Sequence, residues 1–213
     1  MMEIAILNQE NDVPSRIAQR TLAKREAGYA SEVRRLLDAA LEVMRRSGTR
    51  SRARVADIVA TAGLSNDAFY RHFKSKDALV AALLEDGAQR LARYVEHQMD
   101  KETEPASKVR RWVEGILSQT EPEIAETTLA VLWNGGSVGD SVGDRHSATV
   151  PLGALLRAPF QELGSEDPAL DASLAAHAVV GKMSDYLWRR TTPAPAEVDR
   201  ITEFCLNAAR GAR

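Results

Sequence analysis

The sequence predicts an all-α protein of about nine helices, a small three-helix unit near the N-terminus followed by a larger helical body. Three observations predict it. Apolar residues recur at helical spacing through nearly every segment after residue 30. No convincing run of strand-like alternation interrupts them. Basic charge is concentrated in one part of the chain: residues 14–76 hold 14 Lys and Arg against 6 Asp and Glu, residues 77–213 hold 14 against 21, and the first 13 residues hold three acids and no base. The overall charge of −2 hides this division. A basic segment on an acidic body suits a chain of which one end meets a polyanion, and the alternative is an ordinary solvated surface.

Each element has its own signal. Residues 1–29 are polar and weakly patterned and read as a basic, flexible arm, its bases being Arg16, Arg20, Lys24 and Arg25. Val33, Leu36, Leu37, Ala40, Leu41 and Met44 form one stripe of a first helix that Gly48 can end. Val55, Ile58 and Val59 give a second, shorter helix. Ala62-Gly63-Leu64-Ser65 follows as a tight turn in which Gly63 suits a positive φ and Ser65 suits an N-cap. A third, short helix turns Ala68, Phe69 and Phe73 inward. Ser75 then caps a long fourth helix carrying Leu79, Val80, Leu83, Leu84, Leu91 and Val95.

The body begins at residue 77. KETEPAS, residues 101–107, reads as a linker, after which Val109, Trp112, Val113, Ile116 and Leu117 restart a stripe. Further helices are expected from Ile124 to Trp133, from about Pro151 to Leu163, and over about 169–190 and 195–210. Between the first two of these, residues 134–147 hold four glycines and a doubled SVGD and read as a mobile loop. The expected division is thus an arm over 1–29, a three-helix unit over 30–76 and a helical body over 77–213.

Several function classes are disfavoured. Charges or glycines break every apolar run before the roughly 18 to 20 residues that a membrane span needs. The acidic start MMEIAILNQENDVP resembles no secretory signal, so a cytoplasmic location is expected. The single cysteine, Cys205, allows neither an internal disulfide nor a paired-thiolate zinc site, and its place on a helical face with Val198, Ile201 and Ala208 reads as packing. Catalysis has one foothold, the loop 134–147, where glycines could cradle phosphate and Asp140, Asp144 and His146 could bind a metal. No lysine followed by Ser or Thr completes a P-loop there, no G-x-S-x-G is present and the acid and His spacing fits no metal motif, so no catalytic residue, metal or cofactor is assigned.

The segment VADIVATAGLSNDAFYRHFKSKDALVAALLED, residues 55–86, resembles the DNA-binding signature of TetR-family transcriptional regulators. The resemblance rests on Ile58, the Ala62-Gly63-Leu64-Ser65 turn, the Phe69-Tyr70 pair, His72-Phe73 and the Lys74-Ser75-Lys76-Asp77 junction leading into Leu79. With the preceding helix it spans about a quarter of the chain; the rest resembles the family only in length and helical content. It implies a helix-turn-helix whose third helix enters the major groove. On that helix Asn66, Asp67, Arg71 and His72 are the outward donors and acceptors. Arg71 suits guanine O6 and N7, Asn66 suits adenine, and Asp67 either accepts from cytosine N4 or favours the helix dipole. Phosphate contacts fall to Tyr70 and Lys76 by resemblance, with Thr49, Arg50, Arg52, Arg54, Ser65 and Lys74 around them. Asp67-Ala68 stands where the family often has Gly-Thr, and Ala53-Arg54 where it often has two hydroxyl residues.

The resemblance further implies a homodimer on a palindromic operator, through the last two helices, and release of a repressor by a small-molecule effector held in the body. Interface residues expected on those helices are Ala176, Val179, Val180, Met183 and Leu187, with Ile201 and Cys205. Large or polar-tipped residues expected to line an effector pocket are Trp112, Ile116, Leu132, Trp133, His146, Phe160, His177 and Trp188, each of which also suits a packed core. The alternatives are a small helical enzyme using the 134–147 loop and a helical protein-interaction module that does not bind DNA.

Overall fold

A computed structural model describes residues 13–135 and 142–210, with the side chains of 142–148 left aside. Among the described residues the chain forms nine α-helices and no strand. They are α1 (Val13–Ser47), α2 (Val55–Ala62), α3 (Asn66–His72), α4 (Lys76–Met99), α5 (Pro105–Leu117), α6 (Pro122–Gly135), α7 (Val142–Glu162), α8 (Pro168–Arg189) and α9 (Pro195–Ala209). A single 3₁₀ turn, Ser118–Thr120, joins α5 to α6.

Local chemistry sets the boundaries. Gly48, at φ 56°, ends α1, and Gly63, at φ 62°, ends α2 with its N–H on the carbonyls of Ala60 and Val59. Both positions fall in the left-handed region that only glycine enters cheaply. Ser65 and Ser75 cap α3 and α4, each hydroxyl accepting at 3.1 Å from the backbone N–H three residues on. Pro105, Pro168 and Pro195 each open a helix, where a missing N–H costs no hydrogen bond. Part of the expected linker is therefore helix: only residues 100–104 separate α4 from α5.

Two hydrophobic cores result. The first joins Leu36, Leu37, Ala40 and Met44 of α1 to Ile58 and Val59 of α2, to Phe69 and Phe73, and to Leu79, Val80 and Leu83 of α4. It also takes in Ala130 and Val131 of α6, so the larger body plugs directly into the small unit. The second fills the body around Trp112, Ile116, Leu152, Leu156, Phe160, Val179 and Leu187. In it α4 and α5 approach so closely that a Cβ on Gly115 would stand 2.9 Å from Val95 Cγ2.

Two expectations are corrected. From Val13 the N-terminal arm is helix, the first half of a 35-residue α1 whose residues from Arg16 to Ser31 are all exposed. A helix of that length propagates from its packed half, Leu36 to Met44, so the arm requires no apolar stripe of its own. The loop expected over 134–147 is shorter at both ends, because α6 runs to Gly135 and α7 starts at Val142. Residues 136–141 lie outside the described residues, as does the His146 side chain.

Candidate nucleic-acid interface

Helix α3 is seven residues long, so its orientation depends on what lies behind it. Phe69 is fully buried, Ala68 and Phe73 nearly so, and the Phe69 and Phe73 rings pack 5.8 Å apart. Behind α2, Arg35 of α1 donates to the last carbonyls, Ala62 at 2.6 Å and Gly63 at 3.2 Å. The turn before the recognition helix is thereby fixed at its backbone. No sequence motif marked Arg35 for this role.

The opposite face of α3 presents Asn66, Asp67, Tyr70 and Arg71, all exposed, with Tyr70 at 59%. Among the residues expected near phosphates, Arg50, Arg52, Arg54, Ser65 and Lys74 are exposed and Lys76 is half-buried at the first position of α4. Several have internal partners. Ser65 is the α3 cap, Arg50 donates to the Arg46 carbonyl at 3.2 Å, and Arg54 pairs with Asp57 at 2.9 Å, which holds the guanidinium pKa above its ordinary value. Thr49 differs from the others. Its hydroxyl accepts at 3.1 Å from Arg190 at the end of α8, which ties it to the body.

His72 is a correction. Its side chain is 1% exposed, its Nε2 lies 2.7 Å from Glu32 of α1, and its ring meets Tyr29 edge-on with centroids 4.2 Å apart. It stands three residues after Phe69 and four after Ala68, on the inner face of α3, and that spacing could have placed it. The buried Nδ1 has no hydrogen-bond partner, so the Glu32 contact is the ring's one polar anchor among the described residues. Glu32 also accepts from Arg71 at 3.0 Å. The His72 hydrogen bond first, and the Arg71 charge after it, hold the Glu32 carboxyl below the ordinary carboxylate range. Sequence reasoning missed Glu32 because it lies 39 residues from Arg71.

In the body, the residues expected around a pocket separate. Trp112, Ile116 and Phe160 are fully buried core, and the Trp112 indole donates to the Leu152 carbonyl at 2.8 Å. Leu132 is half-buried. Trp133 and Trp188 do meet, at 6.1 Å between ring centroids, but on the surface, 37% and 49% exposed. His177 is exposed, its Nδ1 2.7 Å from the Ser173 carbonyl. His177 borders a small cavity of about 70 Å³ between α7 and α8, and larger cavities lie elsewhere. One of about 430 Å³ runs between α8 and α9, and one of about 510 Å³ lies between the start of α6 and the end of α8.

The stripe expected at a dimer interface faces the chain's own core. Ala176, Val179, Met183, Leu187 and Cys205 are buried and Val180 and Ile201 half-buried without any second subunit. Burial pushes the Cys205 thiol up to about 12, in keeping with a packing role. What α8 and α9 leave outside is a different set: Leu170 at 54%, Leu174 at 59% and Phe204 at 56%. The periodicity pointed at α8 and α9 but not at which face of each is covered from within.

A buried-backed recognition helix in a basic three-helix unit, on an all-helical body, defines a helix-turn-helix transcriptional regulator that binds DNA. Residues 36–83 match the model of the bacterial regulatory proteins of the tetR family. Solved structures share the fold over most of the chain. A TetR-family regulator from Mesorhizobium loti MAFF303099 superposes with TM-score 0.63 at 17% identity, over 85% of this chain and 96% of that one. RolR in complex with resorcinol gives 0.62 at 18% identity, over 85% and 88%. FadR from Bacillus subtilis in complex with stearoyl-CoA gives 0.57 at 18%, over 82% and 97%. No curated protein sequence matches the chain. Residues 36–83 thus carry a DNA-binding domain of the tetR type, on a chain whose fold is like that of TetR-family regulators.

Proposed function

We propose that the protein is a cytoplasmic repressor that binds a palindromic operator as a homodimer and leaves it when the body takes up a small molecule. The observation that carries the DNA half is the split face of α3, with Phe69 buried behind and Asn66, Asp67, Tyr70 and Arg71 exposed in front. Arg71 and Asn66 read bases, Asp67 reads cytosine or favours the helix N-terminus, and Tyr70, Lys74, Lys76, Arg52 and Arg54 hold phosphates. Glu32 holds the Arg71 guanidinium beside α1 until guanine replaces it. The DNA-binding unit consists of residues 30–76 together with the first two turns of α4, which share its core.

Dimerisation is proposed through the outer faces of α8 and α9, where Leu170, Leu174 and Phe204 are apolar and uncovered. Two recognition helices held about 34 to 36 Å apart would read successive major grooves. Ligand control is supported by the like-folded proteins crystallised with resorcinol and with stearoyl-CoA, and it operates by linkage: a ligand that favours a wrongly spaced state lowers DNA affinity. No helix among the described residues is long and apolar enough to cross a membrane.

Selection of bound duplexes from random DNA tests the reading. A two-fold symmetric enriched motif is expected, and enrichment of nothing would end it. In the same assay Arg71→Ala is expected to lose about 1 to 3 kcal/mol at one base pair per half-site, with binding elsewhere unchanged.

A further inference from the structure

Arg190 is the single non-glycine residue with positive φ among the described residues, at φ 53° and ψ 45°. It ends α8 in a left-handed position that, where helices end this way, glycine usually fills, its N–H on the Leu187 carbonyl and the next N–H, of Thr191, on that of Tyr186. An arginine there carries a backbone cost that glycine would avoid. Its side chain has a use that glycine lacks. It crosses to the DNA-binding unit to donate to Thr49, and it stands at the rim of the roughly 510 Å³ cavity between α6 and α8.

That cavity has the size of a small-molecule site. Its apolar wall is made by Pro122, Ala125, Leu129, Tyr186 and Leu187, and Thr191 and Thr192 add hydroxyls at the mouth. Among the described residues Arg190 is the only cation in the lining. Glu126 is the only acid; it is 81% exposed and lies 3.9 Å from the guanidinium, too far for a hydrogen bond. An incoming anion therefore competes with a loose, solvated carboxylate and with the Thr49 hydroxyl, and can bind the guanidinium in the bidentate manner that Glu126 does not reach.

We propose that this cavity binds a small amphipathic carboxylate, its apolar body on Leu129 and Leu187 and its carboxylate on Arg190, and that binding draws Arg190 away from Thr49. The proposal deepens the ligand-controlled reading above and rests on it. Thr49 belongs to the turn between α1 and α2, and α2 leads through Gly63 into the recognition helix. Releasing Thr49 removes one of the links between that turn and the body, leaving the Ala53 N–H on Asn134, and the coupling works in both directions, because whatever favours the Arg190 to Thr49 bond disfavours the ligand by the same factor.

Octanoate is a suitable probe, with octanamide as its uncharged isostere. Titration calorimetry on the full chain is expected to show octanoate binding at least tenfold tighter than octanamide. Arg190→Gly relieves the left-handed backbone, so its Tm should be no lower than wild type while its octanoate affinity falls at least tenfold. Thr49→Val removes the competing acceptor, so its octanoate affinity should be no lower than wild type and should rise by up to about fivefold. On the duplex recovered by selection, octanoate should change wild-type DNA affinity about fivefold or more and leave Thr49→Val unchanged. Equal binding of octanoate and octanamide, equal octanoate binding by Arg190→Gly, or no octanoate binding to wild type at millimolar concentration would overturn the site. An octanoate effect on DNA that persists in Thr49→Val would overturn the latch. DNA binding measured without octanoate in the same titration reports on the regulator itself, so the two failures are distinct.

Discussion

The DNA-binding unit and the body are both helical, yet they present their apolar residues in different ways. In α3 one face, Ala68 and Phe69 with Phe73 just beyond, is buried, and the other is polar and exposed. In α8 there are two apolar faces. Ala172, Ala176, Val179 and Leu187 pack inside the subunit, whereas Leu170 and Leu174 face outward. A helix with one apolar face states what it buries and what it offers. A helix with two states only that something covers it twice, and the contact from within its own chain is settled by the rest of the fold.

The largest effect that can break this comparison is in the small core. Phe69→Ala should cost about 3 to 5 kcal/mol in urea unfolding and abolish sequence-specific binding, because its fully buried ring anchors α3 from behind. A loss under about 1 kcal/mol would mean that α3 does not depend on that face. On the body, Leu174→Lys with Phe204→Lys should convert a dimer to a monomer in sedimentation without loss of helix content by circular dichroism, whereas a dimer that persists would move the interface elsewhere.

The two regions join at Asn134. Its side chain is fully buried, accepts from the Ala53 N–H at 2.9 Å and donates to the Ala130 carbonyl at 2.9 Å. Asn134→Ala leaves that N–H without an acceptor and should cost about 1 to 3 kcal/mol in unfolding free energy. If the two regions were independent, the loss would appear in only one of two transitions; a single shifted transition is expected.

The smallest effect concerns Glu32. Its carboxyl sits below the ordinary value of 4.5 in the folded chain, so its contribution is complete above that pH and fades as pH falls through the lower, folded value. The stability difference between wild type and Glu32→Gln should therefore be constant above pH 5 and shrink in more acid solution. A difference that grew on acidification would contradict the His72 and Arg71 contacts.

The sequence by itself determined the features governed by short-range chemistry. Gly48 and Gly63 end helices because their φ is positive, Ser65 and Ser75 cap because their hydroxyls lie three residues from an unsatisfied N–H, and Phe69 and Phe73 are buried because helical spacing aligns them. His72 was legible by the same spacing, against its reading as a base contact. Only the tertiary structure decided what depends on residues far apart in the chain. Glu32 meets Arg71 across 39 residues, Ala53 meets Asn134 across 81, and Arg190 meets Thr49 across 141. It also decided which face of α8 is covered from within, since periodicity records that a surface is apolar but not what packs against it.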